Sequence, residues 1–249
     1  MKQTFNPLFA VAMTLVITSC CNFSEIISAA RERKVTPSGK DTTIVYNIPN
    51  DYTAIDASCA MDVEYTTEAT AVTVTTDAAY AKYLNIYLEG TELNLGLHPV
   101  SINGIDKIKV LVPVSARGLG EVELSGASSF YSAVILQGNE LDIDCSGATK
   151  FDAEVDVRDL DVDCSGASKV LVCGKADDMS IDCSGASKVS DDDNFVTARH
   201  AEIDLSGASK AYIEAAELDG DISGASIIRY RCENRVRIST SGASKAEKF

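Results

Sequence analysis

Polar and apolar residues alternate strictly over much of the C-terminal half of the chain. In Glu121–Leu124, the run EVEL places polar side chains at odd positions and branched apolar ones between them. The same alternation occurs in DIDC before Ser146 and in DVDC before Ser165. A period of two residues is typical of a β-strand that has one buried face. Second apolar runs follow, such as KVLVC at Lys169–Cys173, so we predict two strands for each unit of sequence.

The alternation is tied to a repeated turn, because S-G-A follows each strand at intervals of 17 to 22 residues. Drift in the interval indicates a fixed part and a loop that tolerates insertion. Glycine permits a positive φ, and we expect the neighbouring alanine to fill a narrow inner corner. The predicted turn glycines are Gly126, Gly147, Gly166, Gly185, Gly207, Gly224 and Gly242.

Two strands in about nineteen residues could form either a hairpin meander or one coil of a parallel β-helix. The coil is favoured, because a meander gives no reason to keep the same turn on every second strand. Residues 121–249 are therefore predicted to form regular coils, stacked about 4.8 Å apart, flattened into two principal sheets. Polar segments such as GKADD and ELDG are expected to be the turns that close each coil.

The coils are predicted to begin before the clear repeats. AIDASCAMDVEY at Ala54–Tyr65 fits the same template, with Cys59 in place of the glycine. We interpret residues 44–120 as less regular coils that include a cap, so that 44–249 form a single all-β domain.

The N-terminus has the features of a targeting segment. Lys2 precedes an apolar core at Leu8–Thr18, which is too short to span a bilayer. Ile17-Thr18-Ser19-Cys20 resembles a bacterial lipobox, so residues 1–19 are predicted to be a lipoprotein signal peptide and Cys20 the lipidated residue. An ordinary secretory peptide, with Cys20 incidental, is the alternative. Residues 20–43 are predicted to be a flexible linker to a membrane, and the chain an outer-membrane lipoprotein of the cell envelope.

Composition narrows the range of partners. The 249 residues contain 22 basic and 37 acidic side chains, for a net charge of −15. Phosphate backbones need a basic surface, so nucleic acid is excluded as an expected partner.

The opening YTAIDASCAMDVEY, followed by serial S-G-A turns behind a lipobox, resembles the head GIN domain family of auto-transporter adhesins. The resemblance covers residues 44–249. It implies a right-handed parallel β-helix related to pectin-lyase-like folds and a role in cell adhesion. The family has no established catalytic residues, so the resemblance assigns none to this chain.

Acidic residues recur two and four places before the first serine of each turn. Such columns could bind calcium, although they could equally be the solvent face of a strand. The loop SDDDN, in the longest repeat, is a second candidate for a cation or partner. The candidate cation-binding acids are Asp142, Asp144, Asp161, Asp163, Asp182, Asp204, Asp191, Asp192 and Asp193.

The remaining chemistry argues against catalysis. A repeated column gives many equivalent acids, whereas hydrolysis of glycosides needs two carboxylates in different environments. Cys145, Cys164 and Cys183 occupy one inward position on consecutive coils and are expected to be buried free thiols. We therefore predict a non-catalytic adhesion or surface-interaction protein without a resident cofactor, whose partner is a protein, a glycan or a second copy. A glycan-binding or polysaccharide-degrading protein and a purely structural envelope component are the alternatives.

Overall fold

The computed structural model describes residues 34–102 and 108–249. The predicted signal peptide and Cys20 lie outside these residues. The described chain forms nineteen strands and one 3-10 turn, Ala81–Tyr83. The strands are β1 Lys34–Val35, β2 Asp41–Tyr46, β3 Ala54–Ala57, β4 Met61–Thr66, β5 Val72–Asp77, β6 Leu84–Glu89, β7 Glu92–Leu97, β8 Ser101–Ile102, β9 Ile108–Pro113, β10 Glu121–Leu124, β11 Ser129–Ser132, β12 Leu136–Cys145, β13 Lys150–Cys164, β14 Lys169–Cys183, β15 Lys188–Val189, β16 Val196–Leu205, β17 Lys210–Ile222, β18 Ile227–Thr240 and β19 Lys245–Lys248.

The regular part is a parallel β-solenoid, as the repeats predicted. Strand β13 pairs in parallel with β12 on one side and with β14 on the other. Equivalent residues of the repeat are opposite each other, so Cys145, Cys164 and Cys183 form one row. All three thiols are buried and free, as expected. Alternation along each strand therefore becomes a set of columns that run across the coils.

Each coil has one tight turn and one bend within a strand. Strand β13 runs for fifteen residues, and its buried positions change phase at Arg158–Asp159, where the chain passes from one face to the other. The prediction that GKADD and ELDG are separate closing turns was wrong, because they lie inside β14 and β17. The two expected faces belong to one continuous sheet of seventeen strands.

The S-G-A-S turns stack on each other through their backbones. The N–H of Ala167 donates to the carbonyl of Gly147 at 2.7 Å, and the pattern repeats from coil to coil. Ala167 itself is exposed, so the prediction that the alanine fills the inner corner was wrong. The corner is occupied by the fourth residue. Ser187, for example, is buried and donates its hydroxyl to the carbonyl of Ser184 at 3.0 Å, which satisfies a polar group inside the turn.

The N-terminal region departs from a simple succession of coils. Strand β3 pairs in parallel with β10 on one side and with β7 on the other, so the first coil along the chain lies between two later segments and does not end the stack. Strands β2, β5 and β6 run antiparallel to their partners and cover the end of the solenoid. The expected irregular coils are thus replaced in part by antiparallel pairs. Strand β2 begins at Asp41, so the predicted linker boundary at residue 43 falls inside an ordered strand.

Aromatic side chains fill the core where the regular coils meet this cap. The rings of Phe130 and Phe151 stack with centroids 5.2 Å apart, and Tyr65 lies 6.1 Å from Phe130. The hydroxyl of Tyr65 accepts a hydrogen bond from the N–H of Ser115 at 2.7 Å. This packing joins the cap to the coils in one continuous apolar cluster.

Candidate interaction surface

The acidic residues lie together on one outer face of the solenoid, which we call the carboxylate face. Its side chains point outward from the strand segments that precede each S-G-A-S turn. Neighbouring coils are about 4.8 Å apart, and alternate residues along a strand about 6.6–6.8 Å apart, so the carboxylates form a two-dimensional array. The column two places before the turn contains Asp56, Glu123, Asp144, Asp163, Asp182, Asp204 and Asp221. The column four places before it contains Glu121, Asp142, Asp161, Ser180, Glu202, Asp219 and Arg237.

A third column completes the array, and it was not predicted from the sequence. It lies six places before each turn and contains Glu140, Asp159, Asp178, His200, Glu217 and Arg235. The signal was available, since the offset from the serine is constant. It was hidden because these positions fall in the segments that were interpreted as turns.

Crowding of like charges changes the acidity of this face. Burial, and then repulsion from Asp144, Asp182 and Asp161, raises the pKa of Asp163. Burial and the charges of Glu140, Asp161 and neighbouring acids raise the pKa of Asp142. A raised pKa means that the ionised form is disfavoured where it stands. The folded chain is therefore charged on this face at a cost in free energy.

The lysines that follow each turn do not neutralise the array. Lys150, Lys169, Lys188 and Lys210 form a column on the opposite outer face. In the part of the chain that the structure describes, no ion pair joins this column to the carboxylate face. Lys150 instead pairs with Asp152 on its own strand at 2.9 Å.

Basic residues do meet the array along its borders. At the bend, Arg158 pairs with Asp159 at 2.7 Å, and His200 Nδ1 lies 2.8 Å from Asp178 Oδ1 with both side chains exposed. At the C-terminal end, Arg235 contacts both Glu217 and Asp219 at 2.9 Å. The interior of the array keeps an uncompensated negative charge.

The SDDDN loop does not form an open cation site. Asp191 Oδ1 accepts hydrogen bonds from the N–H groups of Asp193 and Asn194, and the carboxylate also lies 3.9 Å from Lys188. Asp192 is paired with Arg229. Two of the three predicted acids of this loop therefore hold it against the chain.

The carboxylates of this face are not grouped in the way that a calcium site requires. Across residues 34–102 and 108–249, no group of three or more Asp, Glu, His or Cys side chains is arranged to hold a metal ion. A shallow trough of about 470 Å³ follows the column next to the turns, lined by Asp144, Asp163, Asp182 and serines of the turns. Such a surface presents a broad negative potential to a partner.

Similar proteins were found in a family comparison and among solved structures. A family model described as "Putative auto-transporter adhesin, head GIN domain" matches residues 51–234. A comparison with curated proteins gives no match. In the described residues, no helix has the length and apolar character that crossing a membrane requires.

Solved structures share the fold at low sequence identity. One from Bacteroides fragilis, described as a putative adhesin, has 18% identity and a TM-score of 0.78, covering 86% of this chain and 100% of its own. One from Parabacteroides merdae, also described as a putative adhesin, has 22% identity and a TM-score of 0.59, covering 87% and 99%. One from Parabacteroides distasonis, described as a putative lipid binding protein, has 19% identity and a TM-score of 0.66, covering 87% and 100%.

None of these descriptions names an enzymatic activity. A family of auto-transporter adhesins implies a protein of the cell surface or envelope. The matched region covers most of the chain, from the segment before β3 into β18, and so includes the cap strands β5 and β6 and most of the stacked coils. The chain therefore belongs to the head GIN domain family of auto-transporter adhesins.

Proposed function

We propose that this protein is a non-catalytic adhesion protein of the cell envelope, which contacts its partner through the carboxylate face. The observation that carries the proposal is the uncompensated interior of the array, where burial and then repulsion between neighbouring carboxylates raise the pKa of Asp142 and of Asp163. A partner that carries positive charge relieves this repulsion, so contact is favoured by the same interactions that disfavour the free surface. The rigid solenoid holds the array flat, which limits the entropy lost on binding.

The absence of catalysis is part of the proposal. The carboxylates repeat in equivalent environments from coil to coil, and none is set apart as a general acid beside an ionised base. The two histidines offer no alternative, since both His98 and His200 are exposed and His200 pairs with a carboxylate at the surface.

Adhesion through this face can be tested by neutralising its interior. The full chain is displayed on a bacterial cell, and adhesion to immobilised extracellular-matrix proteins that carry a net positive charge is measured. A variant with Asp142, Asp144, Asp161 and Asp163 changed to Asn should lose adhesion, most clearly at low ionic strength.

The matched control removes four acids elsewhere, at Glu64, Asp51, Glu154 and Asp156, and should adhere like the unmodified chain. Equal adhesion by both variants, at equal surface expression, would reject the carboxylate face as the contact surface.

Attachment to the membrane through a lipid on Cys20 is the second part of the proposal. It is supported by the lipobox sequence at Ile17–Cys20. Expressed in a bacterium, the full chain should partition into the detergent phase of a Triton X-114 extraction, whereas Cys20→Ala should partition into the aqueous phase. Detergent partitioning that does not change with the substitution would contradict lipidation at this residue.

A further inference from the structure

A cavity of about 350 Å³ lies at the N-terminal cap, away from the carboxylate face. It is lined by Pro37, Gly39, Asp41, Thr75, Thr76, Asp77, Tyr80 and Lys109. These residues come from the segment before β2 and from β2, β5, the turn after β5, and β9. Its volume is near the lower end of the range of about 300–1,000 Å³ that small-ligand sites occupy.

One wall of the cavity is fixed by a dedicated set of hydrogen bonds. The Asp77 carboxylate accepts the backbone N–H of Ser38 at 2.9 Å and of Gly39 at 2.7 Å. It also accepts the Ser38 hydroxyl at 2.9 Å and the N–H of Ala79 at 2.8 Å. Because four donors converge on this carboxylate, the segment that carries Pro37 and Gly39 is held in place against β5.

Two charged side chains of the lining are left without partners. Asp41 is opposite Asp77 in the pairing of β2 with β5, and Lys109 is opposite Thr75 in the pairing of β5 with β9. Within the described parts of the chain, neither Asp41 nor Lys109 forms an ion pair or a side-chain hydrogen bond. The cavity thus presents two exposed charged groups, an acceptor and a donor, that no other described residue uses.

The Thr76 hydroxyl does not belong to this set of polar groups. Side chains alternate along β5, so Thr76 lies on the buried face of the strand, whereas Thr75 and Asp77 lie on its outer face.

The charges of the lining select the chemistry of the ligand. An anion meets two carboxylates, from Asp41 and Asp77, against one ammonium. A cation meets Lys109 and finds the Asp77 oxygens already engaged. A neutral polyhydroxylated ligand avoids both penalties, because each hydroxyl can donate to a carboxylate and accept from an ammonium.

We infer that this cavity is a binding site for a neutral sugar, such as the terminal residue of a glycan. Asp41 accepts hydrogen bonds from sugar hydroxyls, Lys109 donates to a sugar oxygen, and Pro37 and Gly39 form the side of the site. The volume suits one ring better than an extended chain. This site is separate from the carboxylate face, and it adds a second, small-molecule specificity to a surface whose contacts are electrostatic.

The inference is tested with the full chain and a panel of methyl glycosides of neutral hexoses, deoxyhexoses and N-acetylhexosamines. Saturation-transfer NMR identifies binders, and isothermal titration calorimetry measures their affinity. We expect one or a few of the sugars to bind saturably. Asp41→Asn and Lys109→Met should each weaken binding about tenfold, the loss of roughly one charge-assisted hydrogen bond.

Matched controls come from the exposed side chains of the coils. Asp156→Asn and Lys175→Met remove one charge of each sign outside the cavity and should leave the affinity unchanged. The inference is overturned if no sugar binds at about 50 mM, or if the cavity variants bind as the controls do. It is also overturned if glycine or acetate binds in place of the sugars, since the site would then bind charged ligands and not neutral ones.

The outcome is independent of the proposed adhesive face. Asp41→Asn leaves the carboxylate face intact, so adhesion to a charged surface should persist while sugar binding is lost. Conversely, the variant with a neutralised array should still bind the sugar. Failure of one site therefore does not conceal the state of the other.

Discussion

Because the turn glycines stack, we expect an alanine substitution at Gly166 to be more destabilising than the same substitution at Gly126. The φ of Gly166 is +74°, and a Cβ added to it would lie 2.5 Å from the carbonyl oxygen of Gly147 on the preceding coil. Gly126 has nearly the same φ, +70°, but the nearest atom to an added Cβ is the Cys59 nitrogen at 3.5 Å. The two alanine substitutions thus share the backbone strain and differ in the overlap between coils.

The magnitudes separate the two effects. Alanine in a left-handed conformation costs about 1–2 kcal/mol, and this cost applies to both variants. Overlap with a fixed backbone atom adds about 1–3 kcal/mol, since that oxygen also accepts the N–H of Ala167 at 2.7 Å. For a chain of this length, about 1 kcal/mol shifts Tm by about 2–4 °C. Gly166→Ala should therefore melt about 2–12 °C below Gly126→Ala.

Thermal unfolding of the full chain, followed by circular dichroism, measures this difference. Hydrogen exchange of the amides of Ala167 and Ala186 serves as a local readout, because a solenoid can open one part without the rest. In Gly166→Ala both amides should exchange faster, and in Gly126→Ala they should be unaffected. Equal losses of Tm in the two variants would show that backbone strain alone sets the cost and would refute the contribution of stacking.

Four further outcomes follow from the structure. Burial and neighbouring acids raise the folded pKa of Asp163 above its unfolded value, so the folded state binds more protons than the unfolded state as the pH falls through the folded pKa toward 3.8. Tm should rise over that interval, and a fall would contradict the crowding of charge. Asp77 acts in the opposite sense: although desolvation opposes the shift, hydrogen bonds from Ser38, Ala79 and Gly39 lower its pKa to about 2, so the stability it contributes is present above pH 3.8 and is lost as the pH approaches 2. Maleimide labelling of the native chain, mapped by mass spectrometry, should modify exposed Cys59 and spare Cys164 until the chain is unfolded; equal rates would place both thiols at the surface. Ser187→Ala should lower the free energy of unfolding by about 1 kcal/mol, measured by urea denaturation, because it removes a buried hydroxyl that bonds within its turn.

Most of the regular solenoid was predictable, because each coil repeats the same alternation of polar and apolar residues and the same S-G-A turn. Alternation before Ser146 and Ser165 identified the buried columns, and repetition of the turn distinguished a parallel stack from a meander. The position of Ala167 was predicted wrongly, since a small residue beside a glycine fits either side of a tight turn. Only the stacked backbone, in which the alanine N–H reaches the preceding glycine carbonyl, determines that its side chain points outward.

The cap and its cavity could not be predicted in the same way. Asp41, Asp77 and Lys109 belong to three separate segments, and no motif or shared offset relates them. Their meeting depends on β5 running antiparallel to both β2 and β9, and this arrangement occurs once among the described strands. A repeat can be detected in a single sequence because its pattern recurs, whereas a contact that occurs once produces no periodic pattern.

The order of levels in the stack has a consequence for how the chain folds. Glu121 pairs with Ala54, 67 residues earlier, whereas each later coil pairs with a neighbour about nineteen residues away. Bringing distant segments together costs more loop entropy and slows folding. We therefore expect the closure of β10 over β3 to be slower than the addition of any one of the later coils. An extra nineteen-residue unit inserted between two such coils should lengthen the molecule by about 4.8 Å without altering the rate of that closure.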